Sequence, residues 1–105
     1  MRNLAQAARW YRLAAVQNHA GAQNNLGILY AAGMGVPRDQ IIANMFLALA
    51  VRGGAAGAAD NRSRLDRELS PQQIAAAEQR AAEWERSEIG ARLQIMSREA
   101  GPDAA

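Results

Sequence analysis

Residues 19–39 read HAGAQNNLGILYAAGMGVPRD, and this stretch decides the fold. Apolar residues recur in it at the three- and four-residue spacing of one helix face, at Ala22, Leu26, Leu29 and Tyr30. Gly33 suits the position after a helix end, because glycine adopts a positive φ without steric penalty. The connector 34–38 is too rich in glycine and proline to be helical, and Asp39 can cap the next helix. Two helices joined by a short turn are therefore predicted.

A related pattern surrounds this stretch at a fixed offset. Residues 7–22 align with residues 43–58, 36 positions further on, so that small residues meet small residues and Trp10 meets Phe46. Other matched pairs are Ala7 with Ala43, Leu13 with Leu49, and Ala14 with Ala50. A period of this length is that of a two-helix solenoid unit. The matched alanines Ala14, Ala43 and Ala50 are predicted to form the tight seam between helices.

The remaining punctuation divides the chain. Helices are predicted over residues 4–17, 21–32, 40–52, 55–69 and 71–97. The last begins at Ser70, where serine as N-cap, proline at the next position and glutamine at the third form a capping box. We expect one domain over residues 1–97, with units 4–38 and 39–69, a capping helix 71–97 and a disordered tail 98–105. Trp84 is expected to close the core as the last helix folds back.

Composition favours the same architecture. Alanine occurs 25 times in 105 residues, whereas Leu, Ile, Val and Phe together total nineteen. So few bulky residues can fill only thin layers between closely spaced helices, and alanine is the best helix former. The predicted fold class is all-α: an α-solenoid of antiparallel helix pairs, about two repeats, closed by a long C-terminal helix.

Charge and residue usage exclude several classes of function. The chain has no cysteine, so it has no disulfides, thiol chemistry or thiolate metal sites. Its twelve basic residues, all arginine, face ten acids, and a net charge of +2 does not predict a nucleic-acid partner. No apolar run approaches a membrane span, and the N-terminus has no signal-peptide core. A soluble chain is expected, with its compartment open between the cytoplasm and, if a leader was removed, the periplasm or outside.

No arrangement of residues predicts catalysis, a cofactor or a metal. His19, the single histidine, lies at the turn between the first two helices, and a structural or solvent-facing role is favoured over a catalytic one. Arg62, Arg64 and Arg67 interleave with acids, which favours a solvated helix with pairs such as Arg62–Asp66 and Arg64–Glu68 over phosphate contact.

Two stretches carry a resemblance to a known family. Residues 7–15 have the pattern Ala-x-x-Trp-Tyr-Arg-x-Ala-Ala, and residues 19–39 continue it with Leu-Gly, Tyr, Gly-x-Gly-Val and Asp. This pattern resembles that of the Sel-one-like repeats, relatives of the tetratricopeptide repeats. The match covers residues 5–59, and residues 60–84 resemble the segment that often closes such arrays. The motif positions are Ala7, Trp10, Ala14, Leu26, Gly27, Tyr30, Gly33, Gly35, Val36, Asp39, Ala43, Phe46, Ala50, Ser70 and Trp84.

The resemblance implies a solenoid that binds other proteins and has no catalytic chemistry of its own. In such solenoids the first helix of each pair lines a concave face where partner peptides lie. The corresponding strip, predicted to bind an acidic partner segment, is Arg9, Arg12, Val16, Met45, Ala48 and Arg52. That these are ordinary exposed positions is an equally open interpretation. One departure is that Arg62 and Ser63 fall where Leu26 and Gly27 would recur, which predicts a more polar outer face for the second unit.

The start of the chain raises a further expectation. The first helix pair has no cap before it, so we expect an exposed apolar face near residues 4–30 and a homodimer formed through it. A longer array of which this chain is the C-terminal piece is the other reading. Three function classes stay open: an interaction scaffold, which leads; a truncated array that mainly self-associates; and, remotely, a small hydrolase.

Overall fold

The computed structural model describes residues 3–87, and within that range the backbone forms five α-helices and no strand. The helices are α1 (Leu4–Ala15), α2 (Ala20–Ala32), α3 (Gln40–Arg52), α4 (Ala58–Asp66) and α5 (Pro71–Arg86). α1 packs on α2, α2 on α3, and α3 on both α4 and α5. Because short connectors join the first four helices, packed neighbours in this series run antiparallel. The predicted all-α class, with helix pairs closed by a last helix, is confirmed.

At the starts of α1, α2, α3 and α5, the side chain of the preceding residue caps the helix. Asn3, His19 and Asp39 each accept a hydrogen bond from the backbone N–H three residues on, at 3.1, 3.0 and 2.9 Å respectively. The N–H of Gln73 donates to the Ser70 hydroxyl, and the N–H of Ser70 donates to the Gln73 side chain, which confirms the predicted capping box. These side chains satisfy backbone donors that would otherwise have no partner inside the helix.

α3 is the centre of the domain. Its residues from Ile42 to Ala50 are buried without interruption, because α2, α4 and α5 enclose it. The Phe46 ring stacks on Tyr30 of α2, with centroids 5.9 Å apart, and meets Trp84 of α5 edge-on at 5.3 Å. A helix with apolar residues on every face is buried on every face, so the core of the domain lies around α3.

Small residues let α2 and α3 approach closely, as the alanine pattern predicts. A Cβ placed on Gly27 would lie only 2.8 Å from Cγ of Leu47 and 3.1 Å from the carbonyl oxygen of Ala43. Ala43 and Ala50 are fully buried at the predicted seam, whereas Ala14 on the terminal helix is half-buried. Only glycine leaves room for this crossing.

The end of α1 and both ends of α4, which was predicted over residues 55–69, differ from the sequence prediction. α1 ends at Ala15 and not at residue 17, because Asn18 adopts a positive φ of 64° and turns the chain. α4 begins three residues later than predicted, since Gly57, with a φ of 81°, breaks the backbone just before Ala58. α4 is therefore short, and it ends at Asp66.

The last helix also ends earlier than predicted. α5 stops at Arg86, because the backbone of Ser87 is extended and its hydroxyl donates to the carbonyl of Glu83 at 2.7 Å. Trp84 is the last buried residue of α5. The predicted continuation over residues 88–97 and the predicted disordered tail 98–105 lie outside the described residues.

Candidate functional site

The predicted binding strip does not exist as one exposed surface. Of its six residues, Arg9 and Arg52 are exposed and Arg12 is half-buried, whereas Val16, Met45 and Ala48 are buried. The predicted surface is wrong because three of its residues belong to the buried core, while α5 packs on α3 and pairs two carboxylates with Arg52. The face that was expected to hold a partner peptide is filled by the chain itself.

Arg52 is held by two carboxylates of α5. Its Nη2 lies 2.5 Å from Oε2 of Glu78, and its Nη1 lies 3.1 Å from Oε1 of Glu85. The second oxygen of Glu78 accepts a hydrogen bond from Arg62 of α4. Glu78 therefore bridges two guanidinium groups, one from the end of α3 and one from α4, and ties both helices to α5.

The same network continues into the core through α4. Asp66 accepts a hydrogen bond from the buried amide of Asn44, and it lies 4.0 Å from Nε of Arg62. Asn44 is 0% exposed and sits in the middle of α3. A lone asparagine in an otherwise apolar helix is the sequence signal that could have revealed this network, since a buried amide needs a partner.

Arg62 is not part of a fully solvated helix face. Its side chain is 21% exposed and turns inward to Glu78 and Asp66, although neighbouring Arg64 and Arg67 are exposed as expected. The predicted Arg62–Asp66 pair forms, whereas the predicted Arg64–Glu68 pair is absent from the ion pairs within residues 3–87. An arginine where Leu26 would recur is thus tolerated because α5 supplies its carboxylate.

These contacts set the protonation of Glu78. Burial raises the pKa of Glu78, but the hydrogen bond and charge of Arg62, together with Arg52, outweigh it and hold the pKa below its ordinary value. A depressed pKa in the folded state means that the charged form stabilises the fold. This contribution is complete above about pH 4.3, the unfolded pKa of a glutamate, and it is lost as the pH falls through the lower folded value.

Replacing Glu78 with glutamine is expected to reduce the free energy of unfolding at pH 7 by about 1 kcal/mol, the upper range for partly exposed pairs. The loss should begin to shrink as the pH falls below about 4, because unfolded wild-type Glu78 then binds a proton that folding has to release. Urea denaturation followed by circular dichroism measures the difference in the free energy of unfolding between the two proteins. The measurements run from about pH 3 to about pH 7, which spans the titration of a glutamate.

Gln79→Glu is the matched control, since Gln79 is exposed on the next position of α5 and has no ion pair among those of the described helices. It changes the charge by the same amount in the opposite sense. A Glu78→Gln loss that is the same at pH 3 and pH 7 would show that the ion pairs contribute nothing.

A second feature is an open apolar face on α1. Trp10 is 66% exposed and Leu13 is 50% exposed. They lie on the same side of the helix as Gln6 and Gln17, at spacings of three and four residues. We call Trp10 and Leu13 the α1 face. The expectation of an exposed apolar face on the first helix pair holds for α1, where Trp10 is exposed although the repeat match aligns it with buried Phe46.

The repeat register explains why Trp10 differs from Phe46. Phe46 packs against Tyr30 of the helix before it and Trp84 of the helix after the pair. In the described range no helix precedes α1, so the equivalent side of Trp10 has no neighbour. The sequence match at 36 residues is therefore correct as a local pattern and misleading about burial.

A third feature is a groove between α2 and α4, with a volume of about 270 Å³. The Nδ2 of Asn61 donates to Oδ1 of Asn24 at 3.1 Å, which joins the two helices on one side of the groove. Beyond this contact the two helices hardly touch, and Leu47 and Leu65, which are both buried, line the base of the gap. The other lining residues are Ile28, Ala31, Ala32, Arg38, Gln40, Asn61, Arg64 and Glu68.

The remaining polar residues have structural partners. The Nδ1 of His19 accepts the backbone N–H of Ala22, so the single histidine caps α2 as the structural interpretation expects. Buried Gln23 donates to the carbonyl of Ala15 at 3.2 Å and satisfies the end of α1. Residues 3–87 contain no group of three or more candidate metal ligands. In the same range, no helix combines the length and the apolar character needed to cross a membrane.

No protein-family model matches the chain, and a comparison with curated proteins finds no match. The resemblance to Sel-one-like repeats thus depends on the motif residues alone.

Proposed function

We propose that the chain is a non-catalytic protein-interaction module, built from helix pairs that resemble Sel-one-like repeats. The single observation that carries this proposal is the exposure of Trp10 beside Leu13 on α1. Large aromatic side chains anchor protein interfaces, and adjacent exposed apolar residues mark contact surfaces. An interaction scaffold uses such a face to hold another protein.

The described titratable residues support binding over catalysis. His19 is engaged as a helix cap, and Glu78 is engaged between two arginines. Arg52 and Arg62, the other members of that network, neutralise the carboxylate rather than leaving it poised for proton transfer. Small-hydrolase chemistry has no support from this arrangement.

Self-association is a second candidate, and the same α1 face favours it. Two copies could bury Trp10 against each other around a twofold axis, because such an interface uses one patch twice. In this case the homodimer predicted for residues 4–30 would be formed through α1. The compartment in which either function operates stays open.

Replacing Trp10 with glutamate is expected to abolish the interaction while leaving the fold intact. Loss of an aromatic anchor typically costs about 2 kcal/mol or more of binding, roughly a thirtyfold loss of affinity. The free energy of unfolding should change by less than about 0.5 kcal/mol, because the side chain is on the surface. Sedimentation velocity of the wild type and of Trp10→Glu measures self-association. Crosslinking in lysate, through a photoreactive group at position 13, measures the capture of other proteins.

The two candidates give different results. A wild-type dimer that becomes a monomer in Trp10→Glu supports self-association, whereas a monomeric wild type with crosslinks that Trp10→Glu removes supports the scaffold. Trp10→Phe, which keeps an apolar ring, should retain either activity. If neither the oligomeric state nor any crosslink depends on Trp10, the proposed function is wrong.

A further inference from the structure

The groove between α2 and α4 combines an apolar floor with a charged rim. Leu47 and Leu65 are buried at its base, and Ile28 on its wall is 38% exposed although it is a large apolar side chain. Drug-sized ligands need pockets of roughly 300–1,000 Å³, so this volume suits a few inserted side chains better than a whole cofactor. The floor therefore fits apolar residues projecting from a protein segment.

Two arginines at the rim keep their positive charge available. With the Gln40 amide oriented to satisfy both its hydrogen bonds, its nitrogen donates to the carbonyl of Ala31 and its oxygen accepts from Arg38, both at 3.1 Å. A neutral amide thus positions Arg38 without neutralising it. Arg64 forms no ion pair with any residue between 3 and 87, although Glu68 lies one helical turn further along the chain.

We propose that this groove binds an acidic segment of a partner protein, with apolar side chains seated on Leu47 and Leu65 and carboxylates paired with Arg38 and Arg64. The proposal extends the proposed function of an interaction module to a second surface, distinct from the α1 face. Guanidinium groups pair with carboxylates through two parallel hydrogen bonds, which gives both affinity and orientation.

The occupant is a protein segment because apolar floor and charged rim occur together. A nucleic acid would need a surface with only positive charge facing its phosphates, but Glu68 lies in the same groove as the two arginines. That carboxylate also disfavours a segment that is acidic throughout. The partner chemistry that fits is a helix with an apolar face, acidic residues beside Arg38 and Arg64, and a neutral or basic residue beside Glu68.

The test uses the full chain and a fluorescein-labelled helical peptide with leucines at i and i+4 flanked by glutamates. A matched peptide carries glutamine in place of every glutamate. Fluorescence anisotropy is expected to show binding of the acidic peptide, with at least about tenfold weaker binding of the glutamine peptide. Arg64→Glu should weaken binding of the acidic peptide by about tenfold or more, and amide shifts in NMR spectra should cluster at Ile28, Ala31 and Leu65.

Arg67→Glu is the matched control, because Arg67 is an exposed arginine near the same helix end but does not line the groove. It should change the affinity for the peptide by less than about threefold, because its charge lies outside the groove. Circular dichroism verifies that both variants are folded. Equal effects of the two variants, or equal binding of the two peptides, would overturn the proposal.

The two binding surfaces fail independently. If Trp10→Glu abolishes peptide binding while Arg64→Glu leaves it unchanged, the peptide occupies the α1 face, and the groove proposal is wrong while the proposed function stands. If Arg64→Glu abolishes binding and Trp10→Glu has no effect on any interaction, the groove is supported and the α1 face is not. An acidic peptide that fails to bind at millimolar concentration also overturns the groove proposal.

Discussion

Replacing Trp84 with alanine is expected to destabilise the domain by about 3–5 kcal/mol, the usual range for a large buried aromatic residue. Trp84 is 0% exposed and its ring meets Phe46 edge-on, so its loss opens a cavity between α5 and α3. Domains of this size have only about 5–10 kcal/mol of stability in total. Urea denaturation followed by circular dichroism should therefore show a much lower midpoint, or no folded baseline at all.

Trp10→Ala is the matched control for this prediction, since it removes the same side chain from an exposed position. Its effect on the free energy of unfolding should be within about 0.5 kcal/mol. The pair of variants separates the role of the tryptophan side chain from its location. A cost below about 1 kcal/mol for Trp84→Ala would show that α5 is not an integral part of the core.

Replacing Gly35 with alanine is expected to cost about 2–4 kcal/mol, as the sum of backbone strain and overpacking. Gly35 has a φ of 75°, and a Cβ there would clash with the carbonyl carbon and oxygen of Leu4. Those atoms belong to the backbone at the start of α1, so no side-chain rotation can relieve the clash. Thermal denaturation measures the loss, and the first helix should separate from the loop before α3.

Gly54→Ala isolates the part of this cost that comes from the backbone alone. Gly54 has a φ of 78°, close to that of Gly35, but a Cβ there would meet no atom within 4 Å. Its replacement should cost only about 1–2 kcal/mol. If both variants lose the same stability, the close contact between Gly35 and Leu4 does not exist in solution.

The parts of the fold that could be predicted are those decided within a few residues. The bounds of α3, from Gln40 to Arg52, match the prediction, because Asp39 caps one end and Gly53 follows the other. The capping box at Ser70 likewise needs only Gln73, three residues away. Helix propensity, caps and periodicity are local properties, so they can be read without tertiary information.

Burial could not be predicted in the same way, because it depends on which helices are neighbours. Trp10 and Phe46 occupy the same register, yet one is exposed and the other is enclosed by Tyr30 and Trp84. The predicted binding strip failed for the same reason, since Met45 and Ala48 are buried in the packed core. The ion pairs of Glu78 join residues sixteen and twenty-six positions apart, beyond any local pattern.

The groove could not be predicted from the sequence either. It exists because α2 and α4 are joined through Asn24 and Asn61 and then separate, and no spacing along the chain encodes that divergence. Arg64 and Glu68 looked like an intrahelical pair at the spacing that favours one. In the structure both residues line the groove, a position that depends on how α4 packs beside α2.

The enclosure of α3 limits how far the chain can be shortened without exposing its core. Where each unit contacts only its neighbours, an array can be shortened or extended one unit at a time. Here α3 packs against three other helices, and its nine consecutive residues 42–50 are all buried. A cut between α2 and α3, at the boundary that the repeat suggests, would therefore remove one of the three helices that enclose α3 and expose the residues that α2 covers.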